Sequence, residues 1–343
     1  MNNRKDKDRM MEKTLTISVA CYNVGHFLRR TLDSLIAPEI MDELEVLIVN
    51  DGSSDNTAEI AREYEEKYPD TFRLVDKANG GYGSTLNYSM PVARGRYFKQ
   101  LDGDDWYHTE GLVRLVRFLR TATADIVLNG RIEVNQKGEE KHTVNLWDTL
   151  YAEKYDGRTV RLNKLEPFVY GIWVVTYRTG LLREHPFSLP EKQLYTDRMF
   201  ITYPIPWIRT VAFQNYDVYC YRTGHEGQSV SKANRIRHAS EAINGFTTLL
   251  DHYEQLGGMP RTNRAFLDLR MSRYYNNVLQ TILMLPASND AMYQIRELDR
   301  RVYQVSERLY RVCGENNRML RSFRKYSYRL YWIRKMKKVK NWA

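Results

Sequence analysis

Three carboxylates within four residues, Asp102, Asp104 and Asp105, follow the apolar run Tyr97–Leu101. Like charges crowded at that spacing repel one another unless a cation neutralises them. Mg²⁺ and Mn²⁺ take carboxylate oxygens together with phosphate oxygens, so Asp102 and Asp104 are candidate metal ligands with Asp105 beside them. Gly103 lets the turn bend and a ligand approach closely. A second apolar run, Leu44–Val49, ends in Asn50-Asp51-Gly52-Ser53-Ser54-Asp55. Asp51 in that position can accept hydrogen bonds from a base or a ribose, while Asp55 is placed to cap the next helix. The first run ends in Cys21-Tyr22-Asn23, and a glycine-rich loop runs from Lys77 through Asn79-Gly80-Gly81 to Asn87. Free backbone N–H groups at such a helix start favour anions.

Ligands of an open parallel sheet bind beyond the carboxyl ends of its strands, so the elements carrying these residues decide their worth. Strands are predicted at Leu15–Ala20, Leu44–Val49, Phe72–Val75, Tyr97–Leu101 and Asp125–Leu128, with helices at His26–Ile36, Asp55–Lys67, Gly83–Ala93 and Thr109–Thr121. This alternation is the signature of βαβ units and a mainly parallel central sheet flanked by helices, an α/β fold. The near-continuous apolar strands fit a sheet covered on both faces. No Gly-x-Gly-x-x-Gly follows the first strand, which argues against a dinucleotide site. From Arg131 the pattern loosens, with a hairpin turning at Gln136–Gly138 and an irregular aromatic-rich stretch to about Thr223. Helices are expected at Ile236–Leu256, Asn263–Leu285 and Asn289–Cys313.

The chain has 343 residues, 43% apolar and 27% charged, an ordinary globular profile that excludes collagen-like or wholly disordered classes. Three distant cysteines, Cys21, Cys220 and Cys313, suggest neither a disulfide framework nor a zinc site and fit a reducing compartment. The first 13 residues lack a signal-peptide core and no run is long enough to span a bilayer, so the expected location is the cytoplasm. The net charge of +10 equals the ten Lys and Arg residues between Arg318 and the C-terminus, a segment without Asp or Glu. A near-neutral body argues against a nucleic-acid partner. In that tail Phe323, Tyr326, Leu330, Ile333, Met336 and Val339 fall on one helical stripe, which would let it lie at the inner face of an anionic membrane.

Taken in order, Val19-Ala20-Cys21-Tyr22-Asn23, Val49-Asn50-Asp51-Gly52-Ser53-Ser54-Asp55-Asn56-Thr57, Asn79-Gly80-Gly81, Ala93-Arg94-Gly95 and Leu101-Asp102-Gly103-Asp104-Asp105-Trp106 resemble family 2 glycosyltransferases of GT-A fold. Looser echoes lie in Tyr195–Phe200, in Tyr219-Cys220-Tyr221-Arg222 and in Gly227-Gln228-Ser229-Val230. The resemblance implies a GT-A domain over 14–233, after a flexible 1–13 segment and before a helical region over 234–315 and a basic tail over 316–343. It implies that Tyr22, Asn23, Asp51, Asn79, Gly81, Asn87, Asp102 and Asp104 bind a nucleotide-sugar donor, with Mn²⁺ or Mg²⁺ on Asp104 and Asp102. Asp51 would meet the nucleobase, and Asp197 would be the catalytic base of a single inverting step. Arg222 and His225 are further candidates, His225 to reach the diphosphate or the metal. Trp106, Trp173 and Trp207 could stack on sugar rings. The chain departs from the family at Leu86, where Arg is frequent, at Ser89, where Gly is, and at Thr196, where Glu is usual. Lacking the processive synthases' Gln-x-x-Arg-Trp, it is expected to add one sugar at a time. UDP is the implied nucleotide, with GDP, dTDP and CDP open, and the acceptor would be a glycan or a lipid-linked glycan. The rival readings are a metal-dependent nucleotidyltransferase and an inactive sugar-nucleotide-binding or tail-mediated interaction protein.

Overall fold

The computed structural model describes residues 13–142, 148–224 and 232–332. They form two compact units. Of the described residues, one takes those up to 166 and 170–224, the other 167–169 and 232–332.

The first unit is built on one sheet. Four parallel strands come first: β1 (Leu15–Cys21), β2 (Leu44–Asp51), β3 (Phe72–Lys77) and β4 (Tyr97–Asp102), side by side in the order β3-β2-β1-β4. They alternate with α1 (Gly25–Asp33), α2 (Thr57–Lys67) and α3 (Tyr82–Val92). Their registers pair Cys21 with Asn50, Asp51 with Lys77 and Ala20 with Asp102, so the polar strand ends meet at one edge. Three of these strands run past the predicted apolar ends to include Asp51, Lys77 and Asp102. Backbone pairing with a neighbour continues regardless of side-chain polarity. Leu15, Ile17, Val19, Val46, Ile48 and Leu101 are fully buried on one face and Leu47 and Val49 on the other, as a sheet covered on both faces requires.

Beyond β4 come β5 (Trp106–Tyr107), α4 (Thr109–Leu119), β6 (Ile126–Val134), β7 (Glu140–His142), β8 (Thr159–Arg161), β9 (Val175–Arg178), α5 (Thr179–Glu184), α6 (Thr196–Phe200) and β10 (Thr210–Arg222). The expected hairpin is present as β6 and β7, paired antiparallel. The stretch expected to be irregular is not so throughout, since β9 bridges β4 and β6 antiparallel and the 13-residue β10 runs parallel to the nine-residue β6. The sheet is therefore mixed. Register shifts between Gln214 and Tyr219 interrupt the alternation of β10, which hides it as a strand in the sequence.

Asp55 is not the cap of α2, which has Asn56 at its N-cap position. Its carboxylate instead takes the backbone N–H of Thr57 at 3.0 Å and that of Gly25 at 2.9 Å, tying together the starts of α2 and α1.

The second unit is helical: α7 (Lys232–Arg237), α8 (Ala239–Gln255), α9 (Arg261–Ile282), α10 (Asn289–Val305), α11 (Glu307–Glu315) and α12 (Arg318–Lys325). The helices expected at 236–256 and 289–313 are each divided. Ser306 leaves helical geometry and accepts the Leu309 N–H at 3.1 Å, starting α11 afresh. The basic tail is likewise not one continuous helical stripe over its described part. The chain turns at Ser327 and Tyr328, both in the left-handed region, while Leu320, Phe323 and Tyr331 are buried in the unit's own core. Ile333, Met336 and Val339 lie outside the described residues. No described helix is long and apolar enough to cross a membrane.

Candidate active site

Aligned strand ends place four loops around the carboxyl edge of β3-β2-β1-β4. The β1 loop carries Tyr22, 55% exposed and so open to a ligand, and Asn23, left-handed at φ 52°. Asparagine tolerates that conformation, and here it joins two loops. Its Oδ1 accepts the Ser54 N–H at 2.8 Å, and its own N–H donates to Ser53 Oγ at 2.9 Å.

Asp51 is almost fully buried and saturated by its own protein. It accepts Lys77 Nζ at 2.7 Å, Gly81 N–H at 2.7 Å, Gly80 N–H at 2.9 Å and Ser84 Oγ at 3.0 Å. Burial works against its charge, but Lys77 and these donors together hold its pKa below the ordinary aspartate value. Its visible work is to pin the glycine-rich loop. Asn79 adds to this by donating from Nδ2 to the Asp51 carbonyl at 2.9 Å. Gly81 sits at φ 81°, where a side chain would be strained and would face the Lys192 backbone at about 3.1 Å. Asn87 holds Leu189 by two bonds, Nδ2 to its carbonyl at 2.9 Å and Oδ1 from its N–H at 2.8 Å.

The acidic turn is fixed from several sides. Gly103 N–H donates to Ala20 O at 2.9 Å, and Thr31 Oγ1 reaches the carbonyls of Gly103 at 2.9 Å and Asp105 at 2.6 Å. A Cβ at Gly103 would lie 2.8 Å from Ala20 O, so the turn closes this tightly because residue 103 has none. Burial first, then the charge of Asp104 and to a lesser extent that of Asp197, pushes the Asp102 carboxyl up to about 7, while Tyr82 and Tyr219 act in the opposite sense. Asp105 is pushed well above the carboxylate range by burial and then by Asp102 and Asp104.

Asp197 lies half-buried in α6, just after Tyr195, which is left-handed at φ 64°. Its field reaches Asp102 and the Tyr82 hydroxyl, so the segment from distant sequence does meet the acidic turn. Arg222 closes the far side, donating from N to Asp105 Oδ1 at 2.7 Å and from Nε to the Asp104 carbonyl at 2.8 Å. His225 lies outside the described residues.

The tryptophans are packed. Trp106 lies under the Arg30 guanidinium at 3.5 Å, Trp173 packs at a tilt against Tyr221 at 5.2 Å, and Trp207 stacks on His185 at 4.3 Å. Three participants carry no role in the sequence reading: Lys77 and Ser84, which hold Asp51, and Tyr219, whose hydroxyl meets Asp105 at 2.7 Å and Asp102 at 3.2 Å. The sequence marks Tyr219 by its place in the looser echo Tyr219-Cys220-Tyr221-Arg222 and by nothing else.

Among the described residues no group of three or more His, Cys, Asp or Glu is arranged to hold a metal ion by itself. The donor set nevertheless suits a divalent cation shared with phosphate. Asp102 and Asp104 offer carboxylate oxygens, and the charge of Asp104 is one cause that disfavours ionisation of Asp102, a cost that a cation would remove.

Residues 16–182 match the sequence profile of glycosyl transferase family 2. The EpsH protein of Bacillus subtilis strain 168 is 26% identical over 285 residues, 81% of this chain and 76% of EpsH. The fold is similar to that of Staphylococcus aureus TarS residues 1–349, solved with UDP-GlcNAc. That match has 18% identity and a TM-score of 0.65, covering 96% of this chain and 92% of the 1–349 chain. A mannosyltransferase from Pyrobaculum calidifontis, solved with GDP-Man and Mn²⁺, superposes with 17% identity and a TM-score of 0.52, covering 90% of this chain and 88% of its own.

Proposed function

Because the chain is a family 2 glycosyltransferase of GT-A fold, we propose that it transfers one sugar from a nucleotide diphosphate sugar, UDP-linked, to an acceptor hydroxyl with inversion. The observation carrying this reading is the acidic turn. Asp102, pushed up to about 7 by burial and by Asp104, sits at the carboxyl edge of a parallel sheet within the field of Asp197. A half-buried carboxylate beside others of its own charge favours a cationic ligand, and the lip of a parallel sheet is where nucleotide ligands bind. The TarS and mannosyltransferase complexes, which hold UDP-GlcNAc, and GDP-Man with Mn²⁺, support a nucleotide-sugar donor and a divalent cation.

Asp102 and Asp104 would hold the cation, the remaining ligands coming from the donor's phosphates. When bound, the cation supplies Lewis-acid stabilisation of the negative charge that collects on the departing diphosphate. Tyr22 and Asn23 line the donor cleft, and Asp51 shapes it by fixing the Asn79–Gly81 loop. Asp197 accepts the proton of the acceptor hydroxyl as its oxygen attacks the anomeric carbon opposite the leaving group. Proton removal of that kind is worth roughly 10²–10⁴-fold. The acceptor is a glycan or a lipid-linked glycan, and the basic tail brings the protein to the cytoplasmic face of an anionic membrane.

Asp197→Asn is expected to bind UDP with Mn²⁺ as the parent does while releasing UDP from UDP-sugars at least about 100-fold more slowly. Calorimetry and a UDP-release assay over a panel of donors read the two quantities separately. Undiminished turnover in this variant removes Asp197 from the role of base.

A further inference from the structure

Neither the strand that carries Asp102 nor the turn after it fully constrains its carboxylate. Within β4 only the Gln100 amide reaches it, at Oδ1. The other oxygen, Oδ2, faces Tyr219, a side chain from β10 that is 117 residues away in sequence and wholly buried. The Tyr219 hydroxyl stands 3.2 Å from Asp102 Oδ2 and 2.7 Å from Asp105 Oδ2. The Asp102 N–H approaches the same oxygen at 3.3 Å. Asp105 in turn has no freedom, for its Oδ1 accepts the Arg222 N–H at 2.7 Å and its carbonyl accepts Thr31 Oγ1 at 2.6 Å. The Tyr219 ring is set edge-on to Tyr107 at 5.7 Å between centroids. Tyr107 itself donates its hydroxyl to the Gln100 carbonyl at 2.8 Å. A rigid aromatic ring thus delivers one hydroxyl between two carboxylates of the acidic turn.

Partners behind a metal-ligating side chain fix its rotamer and tune its affinity, and removing one typically costs 10–100-fold. We propose that Tyr219, anchored by Asp105, is a positioning residue that holds Asp102 in the rotamer which receives the donor's cation and diphosphate. Asp105 then serves as the anchor of β10 against the turn, leaving ligation to Asp102 and Asp104. The inference rests on the donor-site reading above.

The full chain is titrated with UDP, with and without Mn²⁺, by calorimetry, and each variant's melting temperature is recorded. Tyr219→Phe, which removes one oxygen and keeps the ring, is expected to weaken Mn²⁺-assisted UDP binding about 10–100-fold and to raise the Mn²⁺ concentration required. Metal-free UDP binding is expected to stay at the parent value. Asp105→Leu should do the same. Asp105→Asn should retain most of the affinity, because its Oδ1 still accepts the Arg222 N–H and its amide can donate to the Tyr219 oxygen. Parent-like Mn²⁺-assisted binding in Tyr219→Phe overturns the proposal. So does an equal loss with and without metal accompanied by a collapsed melting temperature, which would assign Tyr219 to the core alone. Asp104→Asn separates this inference from its premise. If that variant keeps metal-assisted uptake, the donor-site reading falls. If it loses uptake while Tyr219→Phe does not, only the positioning role falls.

Discussion

Lys77 sets its ammonium 2.7 Å from Asp51 at the base of the glycine-rich loop, and the carboxylate is only 3% exposed. Internal pairing satisfies the charge at Asp51, whereas at Asp102 it is opposed by burial and by neighbours of the same sign. The first arrangement orders a loop, and the second is the one to which the proposed function gives a cation. Breaking a buried pair by deleting one partner costs about 3–5 kcal/mol, because the other charge stays buried and unpaired. Backbone and Ser84 donors remain in Lys77→Met, so the loss should lie at the lower end of that range, read by urea denaturation. UDP binding should weaken with it as the Asn79–Gly81 loop loosens. At this scale the sequence was informative where chemistry is encoded by clustering. Asp102, Asp104 and Asp105 announce themselves by spacing. Tyr219 does not, because it is one of three tyrosines in β10 and looks like any core tyrosine until the fold brings it to the turn.

Among the elements, β4 carries an unusual burden. Lys99 lies in its middle, 1% exposed, donating to the carbonyls of Trp173 at 3.0 Å and Val175 at 3.2 Å, and desolvation pulls its pKa down from 10.5 to about 7. Between pH 7 and 10.5 the unfolded chain therefore holds a proton that the folded chain has released. Stability should rise with pH across that window, by roughly 1 kcal/mol per unit at its steepest. Below pH 7 both states are protonated and the contribution is flat. Lys99→Met should stabilise the fold near neutrality and remove this slope, as measured by denaturant midpoints at pH 7, 8 and 9 against the parent. The parallel half of the sheet was legible because β1, β2 and β4 are mostly apolar and of ordinary length, interrupted only at Thr16, Ser18, Glu45, Lys99 and Gln100 before their polar ends. β9 was not, since four residues, Val175-Thr176-Tyr177-Arg178, carry too little periodicity to read. Similarly, the polar run Gln214-Asn215 and the bulge around Asp217 split the pattern of β10. Polar punctuation also misled in the other direction, for Ser306 cuts one long amphipathic stripe into α10 and α11 without disturbing its spacing.

For the whole molecule, the helical unit has an ionic centre of its own. Asp299, 1% exposed, receives a two-pronged contact from Arg324 at 2.6 and 2.8 Å, joined by the hydroxyls of Tyr275 and Tyr328. This binds α12 to α10 and gives the basic segment a structural duty in its first half. Arg324→Met should destabilise the unit by about 3–5 kcal/mol, seen as lowered protection of α10 and α12 in hydrogen exchange. The remaining cations, Arg334, Lys335, Lys337, Lys338 and Lys340, are the ones assigned to the membrane. At about 1 kcal/mol each near an anionic surface, they should make the full chain float with phosphatidylserine vesicles at low salt. A chain ending at residue 332 should not float. Within the sheet-bearing unit, the paired bonds between Asn87 and Leu189, with the Lys192 N–H on the Gly80 carbonyl, stitch the donor cleft to the segment that leads into Asp197. Through these bonds, whatever occupies the Asn79–Gly81 loop is expected to act on the segment leading to Asp197 as well. Initial-rate kinetics should show the nucleotide sugar entering before the acceptor, and the spent nucleotide leaving last.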